Sequence, residues 1–536
     1  MQRRTFMKTT GALGVSAMLA RPGSAVALIP AESSAPDTWM QDVVEEARRL
    51  GAAQADALSL SHRHQSIQVR KDVVHGISDT EEDGITLRVR VGMALGSASV
   101  PAARRGSPKD LARRAVEMAR ATPPSIREGS IALDGELHPD VHVMNTDANG
   151  VDTRRWSTAG VTDPFLVPLD ERIAFLRDLN ATALRIPQIP YAVSNQFLQM
   201  RTTTHVDSRG GRFTQQQYAS YVNFAVTAYS AQRKLMDTRT SEREAQSTDW
   251  TGATASMRSE LETAMQEVLQ LQRADPVTPD HYDIVVHPTL LWNILFETLL
   301  PHFDPRQLTG LDGRLPGDRW ITLAQRGRLP LSSPALRLRW DNTLRGGLAS
   351  SGWDDTGVAA AVHPLLDGSG AIGRIPRSLD LLLSDPVYGL GFPGMTFSRA
   401  PAWNLPPTVA MPNVVLEGGP GKNLDALIAG VDDGLFVKGR GTVVTNPGKT
   451  LFRVRPQVAW KIRGGKIVEM VREVEIETST EQFWNALVEV GRGEDTFLGG
   501  DLFPRRAFPL WETPFSVATP PALFRSIPTY RAEARA

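Results

Sequence analysis

The chain has 536 residues, with Lys+Arg and Asp+Glu both at 59, so its formal net charge is zero and no global field favours nucleic acid or an anionic membrane. Its length allows two or more domains around a large core. It has no cysteine, which excludes disulfides, thiolate metal sites, Fe–S clusters and cysteine nucleophiles together.

Residues 2–8 read QRRTFMK, followed by the mildly apolar TTGALGVSAMLA and then RPGSAVA. This is the plan of an export signal: a basic start, an apolar run, and small residues before a cut. Arg3 and Arg4, with Phe6 and Lys8 after them, resemble a twin-arginine signal, and Ala25-Val26-Ala27 predicts cleavage after Ala27. The run is too short and too rich in Gly, Ser and Thr for a membrane anchor, and no later segment reaches about 18 consecutive apolar residues. The expectation is an exported protein, periplasmic or extracellular, with no membrane span in the mature chain.

Residues 38–50 carry Val43, Val44, Ala47 and Leu50 on one helical stripe, with Gly51 as C-cap. From 56 to 100, Leu58 and Leu60, Ile67 and Val69, then Leu87, Val89 and Val91 keep period two, which predicts antiparallel strands, with Glu81-Glu82-Asp83-Gly84 as a turn. A helix follows, capped by Ser107 with Pro108 at its first position. The first unit therefore reads as helix, sheet, helix. Residues 121–170 are weakly periodic and read as a surface excursion. A helix is predicted over 168–186, two strands around the turn DSRGGR, and a helix over 257–274, with a domain boundary near 275.

The second half is strand-dominated. Gly464-Gly465 joins two alternating runs within 451–478 as a hairpin, preceded by a short helix, turn and strand in LDALIAGVDDGLFV. The Pro-rich tail, 499–527, is expected to lie irregularly over the sheet. The fold class is α+β: an N-terminal helix–sheet–helix domain (36–274) after the 1–27 signal, then a β-rich domain (275–536) built on a large antiparallel sheet.

The stretch LWNILFETLLPHFD (291–304) places Leu291, Ile294, Leu295, Thr298 and Leu299 on one helical face, with Glu297 off the stripe. Pro301 predicts an end near Leu300, leaving His302 just beyond it. Glu297 is a candidate general base and His302 a candidate metal donor, but five helical residues turn a side chain by ~500°, about 140° off its partner. A metal here would need His287, Asp304 or a more distant donor. Weaker candidates are His62 and His64, on one strand face and expected at an exposed edge; His138 and His142 in an acidic loop; and the pair Asp354-Asp355, expected to face water. Arg337, Arg339 and Arg345 are too few for a nucleic-acid patch, and no P-loop, G-x-S-x-G or dinucleotide fingerprint is present.

In collinear order, EEDGITLRVRVGMALGSASV, HVDSRGG, DIVVHPTLLWNILFETLLPH, SSGWDDTGV, MPNVVLEGG, LDALIAGVDDGLFV and WKIRGGKIVEMV resemble the TldD/PmbA family, described as zinc metallopeptidases and as modulators of DNA gyrase. The resemblance implies dimers that enclose a cavity for unfolded or short peptides, and zinc held in active members by two His of an H-E-x-x-x-H helix and a C-terminal Cys. Carried onto this chain, Phe296 stands at the first ligand position, Glu297 at the general-base position and Pro301 at the second ligand position. The third ligand falls near GGDLFPRRAFPLW, where there is no Cys, and Thr356 replaces the Glu of an acidic D-D-E-G turn. The expectation is a degenerate site without zinc in a peptide-binding or partner subunit, forming a homodimer or a heterodimer with a TldD-like protease. Two alternatives stay open: a metallopeptidase with a rearranged site around Glu297, His302 and His287, and a peptide-binding protein with no protease partner.

Overall fold

Long period-two runs build the first sheet. The computed structural model describes residues 38–92, 94–122, 155–304, 320–321, 329, 331–370, 375–377, 394–502 and 513–532. Arg3, Arg4 and the rest of the export signal, His138, His142 and most of the third-ligand region (503–512) lie outside the described residues. Strands β1 (Gln54–Arg70), β2 (Val73–Val91), β3 (Ala94–Pro101), β4 (Arg155–Ser157), β5 (Tyr191–Asp207), β6 (Arg212–Ser230) and β7 (Leu235–Thr240) form one sheet. Its order is β3-β2-β1-β5-β6-β4, with β7 also on β6. All pairings are antiparallel except β4 with β6.

Two helix pairs cover one face. Helices α1 (Thr38–Arg49) and α2 (Pro108–Ala121) bury Met40, Val43, Ala47, Leu111 and Ala115 against Ala57, Ile85, Leu87 and Val89. At the other end α3 (Leu169–Leu184) and, after the short α4 (Trp250–Thr254), α5 (Met257–Leu271) bury Leu176, Leu179, Leu261 and Val268 against Ile67, Val69, Val222 and Phe224. Each such fully buried aliphatic side chain contributes about 1.5–3 kcal/mol. The expected helices thus form within one to three residues of their sequence bounds, because each carries its own apolar stripe.

The second half forms two further large sheets and, among the described residues, two two-stranded ones, Ile375–Arg377 with Gly394–Thr396 and Ser398–Arg399 with Thr408–Val409. The larger runs Thr442–Thr445, Leu451–Arg455, Val474–Ser479, Ala522–Arg531, Asp280–Val286, Asp433–Lys438, Val458–Arg463, Lys466–Arg472 and Asp275–Pro276, with Leu487–Val490 also on Ala522–Arg531. The smaller runs Val362–Asp367, Arg337–Asp341, Val414–Leu416, Phe515–Thr519 and Phe497–Asp501. The largest apolar cluster takes side chains from both sheets and from helix α6 (Pro288–Ile294) and its continuation to Phe303. The architecture is α+β with a β-rich second half, as expected. Gly464 and Gly465, at φ +53° and +74°, make the tight turn that their sequence predicts between Val458–Arg463 and Lys466–Arg472.

Three expectations change. Glu81-Glu82-Asp83-Gly84 is no turn: β1 pairs with β2 without a break from Gln54↔Arg90 to Gln68↔Gly76, so the neighbouring strand holds these acids extended. The described parts of the tail are strands, Phe497–Asp501, Phe515–Thr519 and Ala522–Arg531, because Pro520 and Pro521 fall between ladders and not inside one. The end of the 121–170 excursion supplies β4, whose three residues pair with Thr214, Gln215 and Gln216.

Close packing makes one glycine a stringent test. A Cβ on Gly96 in β3 would lie 2.4 Å from both the Ala115 carbonyl and the Ala119 nitrogen of α2. Gly96→Val is expected to lower unfolding free energy by about 3 kcal/mol, the upper range for overpacking. Urea unfolding followed by circular dichroism measures it.

Candidate functional site

The helix that carries the candidate residues starts with local chemistry. His287 is its N-cap: the Thr289 backbone NH donates to His287 Nδ1 at 3.3 Å. Pro288 follows at the first helical position. The α-helical part ends at Ile294, Leu295–Leu299 is a π-helical turn and Leu300–Phe303 a 3-10 turn. The helix therefore does not stop before Pro301 as expected. The wider turn absorbs an extra residue, and the tighter one accommodates the proline. Thr298 Oγ1 donates to the Ile294 carbonyl at 2.6 Å and accepts from Trp484 Nε1 at 3.1 Å.

Residues 288–296 and 298–304 are all buried, so the expected single apolar stripe is an apolar cylinder between two sheets. Phe296 is 4 % exposed, stacked on Phe515 at 5.2 Å between ring centroids and edge-on to Trp292 at 5.8 Å. Pro301 is buried as well. Both positions are thus filled by carbon.

Glu297 is the one part-exposed residue of the stretch, and a lysine holds it. Lys449 Nζ lies 3.2 Å from Glu297 Oε2 and donates to the Glu297 carbonyl at 3.1 Å. Lys449 comes from the turn between Thr442–Thr445 and Leu451–Arg455. There Asn446 Oδ1 accepts from the backbone NH groups of Thr450 (2.8 Å) and Leu451 (3.1 Å), and the Lys449 NH donates to the Asn446 carbonyl (2.9 Å). Lys449 sits at φ +53°, the left-handed region. Its carbonyl accepts from Thr480 Oγ1 at 2.6 Å and lies 3.3 Å from His302 Nε2.

His302, expected beyond the helix end, lies inside the 3-10 turn, 5 % exposed and edge-on to Trp320. Glu297 and His302 both touch Lys449, Glu297 at its ammonium and His302 at its carbonyl. A carbonyl only accepts, so His302 Nε2 carries a proton and offers no lone pair. His287 is ten residues before Glu297, about 15 Å along the axis. Burial pushes it down to about 4, so it stays neutral. It joins neither residue.

Zinc in an active relative would need two imidazoles, a thiolate and a carboxylate free to take a proton. Here those places hold phenyl and pyrrolidine rings, the chain has no thiol, and the carboxylate faces an ammonium. These residues do not fit the metal. Among the described residues no three of His, Cys, Asp and Glu converge as a donor cluster.

The acid pair is the second surprise. Asp354 and Asp355 are 2 % and 0 % exposed, not water-facing. Asp355 binds Arg201 of β5 through both oxygens, at 3.2 and 2.5 Å, and accepts from the Ala400 NH at 2.7 Å. Asp354 accepts from the NH groups of Thr356 (2.9 Å), Val358 (3.0 Å) and Ser398 (2.9 Å) and from Thr356 Oγ1 (2.8 Å). Burial raises its pKa against those hydrogen bonds.

Gln215 of β6 donates to the Trp353 carbonyl at 2.9 Å, and Gln217 donates to the Ser350 carbonyl at 2.6 Å while accepting from Arg399. The Arg399 guanidinium is pushed down to about 9 by burial and by Arg201. His62 and His64 share a face, as their spacing predicts, with ring nitrogens 3.1 Å apart. They are not at an edge: β1 lies between β2 and β5, and burial with His64, Arg201 and Arg399 nearby pushes His62 down to about 2. This cluster is a clamp joining the first sheet to the second half, and sequence reasoning missed it. The only hint was Asp-Asp beside a Trp.

Asp355→Asn is expected to cost about 3 kcal/mol, because it leaves Arg201 charged and poorly paired in a buried setting. Chemical denaturation of the purified variant measures the loss. His287 gives a pH signature. The unfolded chain takes up a proton below about 6.5 while the folded one stays neutral to about 4, so stability falls as pH drops through that window, by at most about 3 kcal/mol. His287→Asn keeps an N-cap acceptor and is expected to flatten that segment of the stability–pH curve.

Comparison with known proteins bears on the fold and the family likeness. Residues 55–119 match the family model for PmbA/TldA metallopeptidase domain 1, and residues 394–528 that for the PmbA/TldA metallopeptidase C-terminal domain. A protein described as a metalloprotease from Methanothermobacter thermautotrophicus is 24% identical over 211 residues, which is 39% of this chain and 43% of that protein. The matched region thus spans less than half of that relative. A structure described as a candidate modulator of DNA gyrase from Bacteroides thetaiotaomicron superposes with TM-score 0.66 at 17% identity, over 92% of this chain and 98% of that one. TldE from Thermococcus kodakarensis gives 0.63 at 16%, over 92% and 100%, and a candidate gyrase modulator from Thermotoga maritima gives 0.66 at 13%, over 92% and 99%. At such identities these structures establish the fold alone. Together with the two matched segments, they make the chain similar to the TldD/PmbA metallopeptidases, in overall fold and in those two stretches of sequence.

Proposed function

We propose that this protein is an exported, non-catalytic member of the TldD/PmbA family, which binds unfolded or short peptides as the partner subunit of an active TldD-like protease. One observation carries the reading: the ammonium of Lys449 lies 3.2 Å from the carboxylate at the general-base position, beside a packed phenyl ring at the first ligand position. A general base acts on a water whose proton a metal has loosened. Here the carboxylate is paired with a fixed cation, and among the described residues no cluster of His, Asp or Glu beside it would hold a second one.

Export by the twin-arginine route rests on Arg3 and Arg4 ahead of the Ala25-Val26-Ala27 cut, which gives a periplasmic or extracellular protein. The division into a 1–27 signal, a 36–274 domain and a 275–536 domain belongs to the same reading. Among the described residues no helix is long and apolar enough to cross a membrane.

The test is zinc content of the native protein together with cleavage of unfolded peptides, with and without chelator. Substoichiometric zinc, no chelator-sensitive cleavage and co-purification with an H-E-x-x-x-H relative are expected. Stoichiometric zinc with cleavage abolished by chelator and by Glu297→Gln would overturn the proposal. Peptide binding without any such relative would remove the protease partner from it. Arg3→Lys with Arg4→Lys is expected to hold the protein in the cytoplasm, read by cell fractionation.

A further inference from the structure

The chain's charges cancel overall, but not at every place on its surface. At one end of the first sheet the β1–β2 turn, the start of β5 and the β6–β7 turn lie side by side. The ladder pairs Arg70↔Val193, Tyr191↔Thr227 and Tyr229↔Met236 join them. The Lys71 NH donates to the Ala192 carbonyl at 2.9 Å, and the Tyr229 NH to the Gln188 carbonyl at 3.0 Å. Helices α3 and α5 finish at the same end: Gln188 follows α3, and Arg233 Nη1 donates to the Ala274 carbonyl, just past α5, at 3.3 Å. From β2 through β1, β5 and β6 to β7, strands spaced by about 4.8 Å make this surface about 20 Å wide.

Arg70, Lys71, Arg185, Arg233, Lys234 and Arg273 stand on these segments, all exposed. Among the described residues none of the six forms an ion pair. The only acids within 70–74, 185–191, 229–236 and 273–275 are Asp72 and Asp275. Arg185 and Arg273 suit the negative C-terminal ends of α3 and α5. The other four sit on or beside hairpin turns, where no helix end favours a cation. Lys71 and Lys234 hold φ +53° and +54°, a conformation in which glycine would be unstrained. Among these cations stand Val73, Tyr191, Tyr229 and Met236, all exposed, Met236 by 73 %.

A surface that serves only solubility mixes the two signs. A one-sign field with tyrosines and a methionine in it matches a bilayer of anionic headgroups. Lipid phosphates meet the cations, the tyrosines suit the headgroup level, and Met236 and Val73 reach the acyl boundary. A nucleic acid would supply phosphates but no apolar layer for those two side chains. We propose that this end of the first sheet docks the protein reversibly on a membrane surface rich in anionic phospholipid. The inference is independent of the chemistry at Glu297 and of the export signal.

Cosedimentation of the full chain with vesicles tests it, using phosphatidylcholine with and without a one-third share of phosphatidylglycerol. Binding to the anionic vesicles alone, weakening as salt rises, is expected. Lys71→Gly with Lys234→Gly removes two cations and relaxes both turns. It is expected to keep or raise the thermal midpoint while weakening vesicle binding by at least about tenfold, so misfolding cannot account for the loss. Met236→Asp is expected to weaken binding by a factor that persists at high salt. Arg3 and Arg4 are common to every variant and cancel from the comparison. Equal binding to both vesicles, binding to neither, unchanged affinity in the double variant, or a loss seen with duplex DNA and not with vesicles would each overturn the proposal.

Discussion

A phenyl ring at 296 fills the space between two sheets, and no cation can be held from that position. The rest of the site follows from this constraint. With Trp292 and Phe515 against it, Phe296 ties α6 to the five-stranded sheet through apolar contact, where an imidazole would have had to keep a lone pair clear. Pro301 then fits as carbon in the same core, and the extra width of the π turn at Leu295–Leu299 lets the chain pass through it. Apolar packing fills both positions.

A carboxylate next to such a core still needs a counter-charge. Glu297 obtains it from Lys449, 152 residues on, whose turn is fixed by Asn446 and Thr480. The same turn gives His302 a carbonyl to donate to, so one residue partners both polar groups. The Asp354–Asp355 clamp works on the same principle at a larger scale: Arg201, Gln215 and Gln217 of the first sheet meet carboxylates and carbonyls of the second half, so buried polar groups, each satisfied, set how the halves meet.

What the sequence made legible was local. Helices α1, α2, α3 and α5 carry their own stripes, and Gly464-Gly465 specifies its own turn. Ser107 and Pro108 start α2 as read, although Ser107 makes no side-chain cap. That positions 296 and 301 hold carbon side chains was also readable, since it needs only residue identity. What stayed hidden depends on partners far along the chain. Asp355 looked solvated because Arg201 is 154 residues away. Glu81–Asp83 looked like a turn because acids and a glycine suit one, and only pairing with Leu60–Arg63 extends them. His62 and His64 looked like edge residues because nothing local marks β1 as an interior strand.

The backbone at Lys449 has one more implication. A left-handed residue with a full side chain is strained by roughly 1 kcal/mol, a cost that glycine avoids and asparagine reduces. The turn itself would be more relaxed with either of them. A lysine there is tolerated because its charge neutralises an acid that would otherwise sit half-desolvated, so backbone comfort at 449 is traded against electrostatic balance at 297. In a chain with an uncharged residue at 297 that trade would vanish, and glycine would become the better choice for the turn.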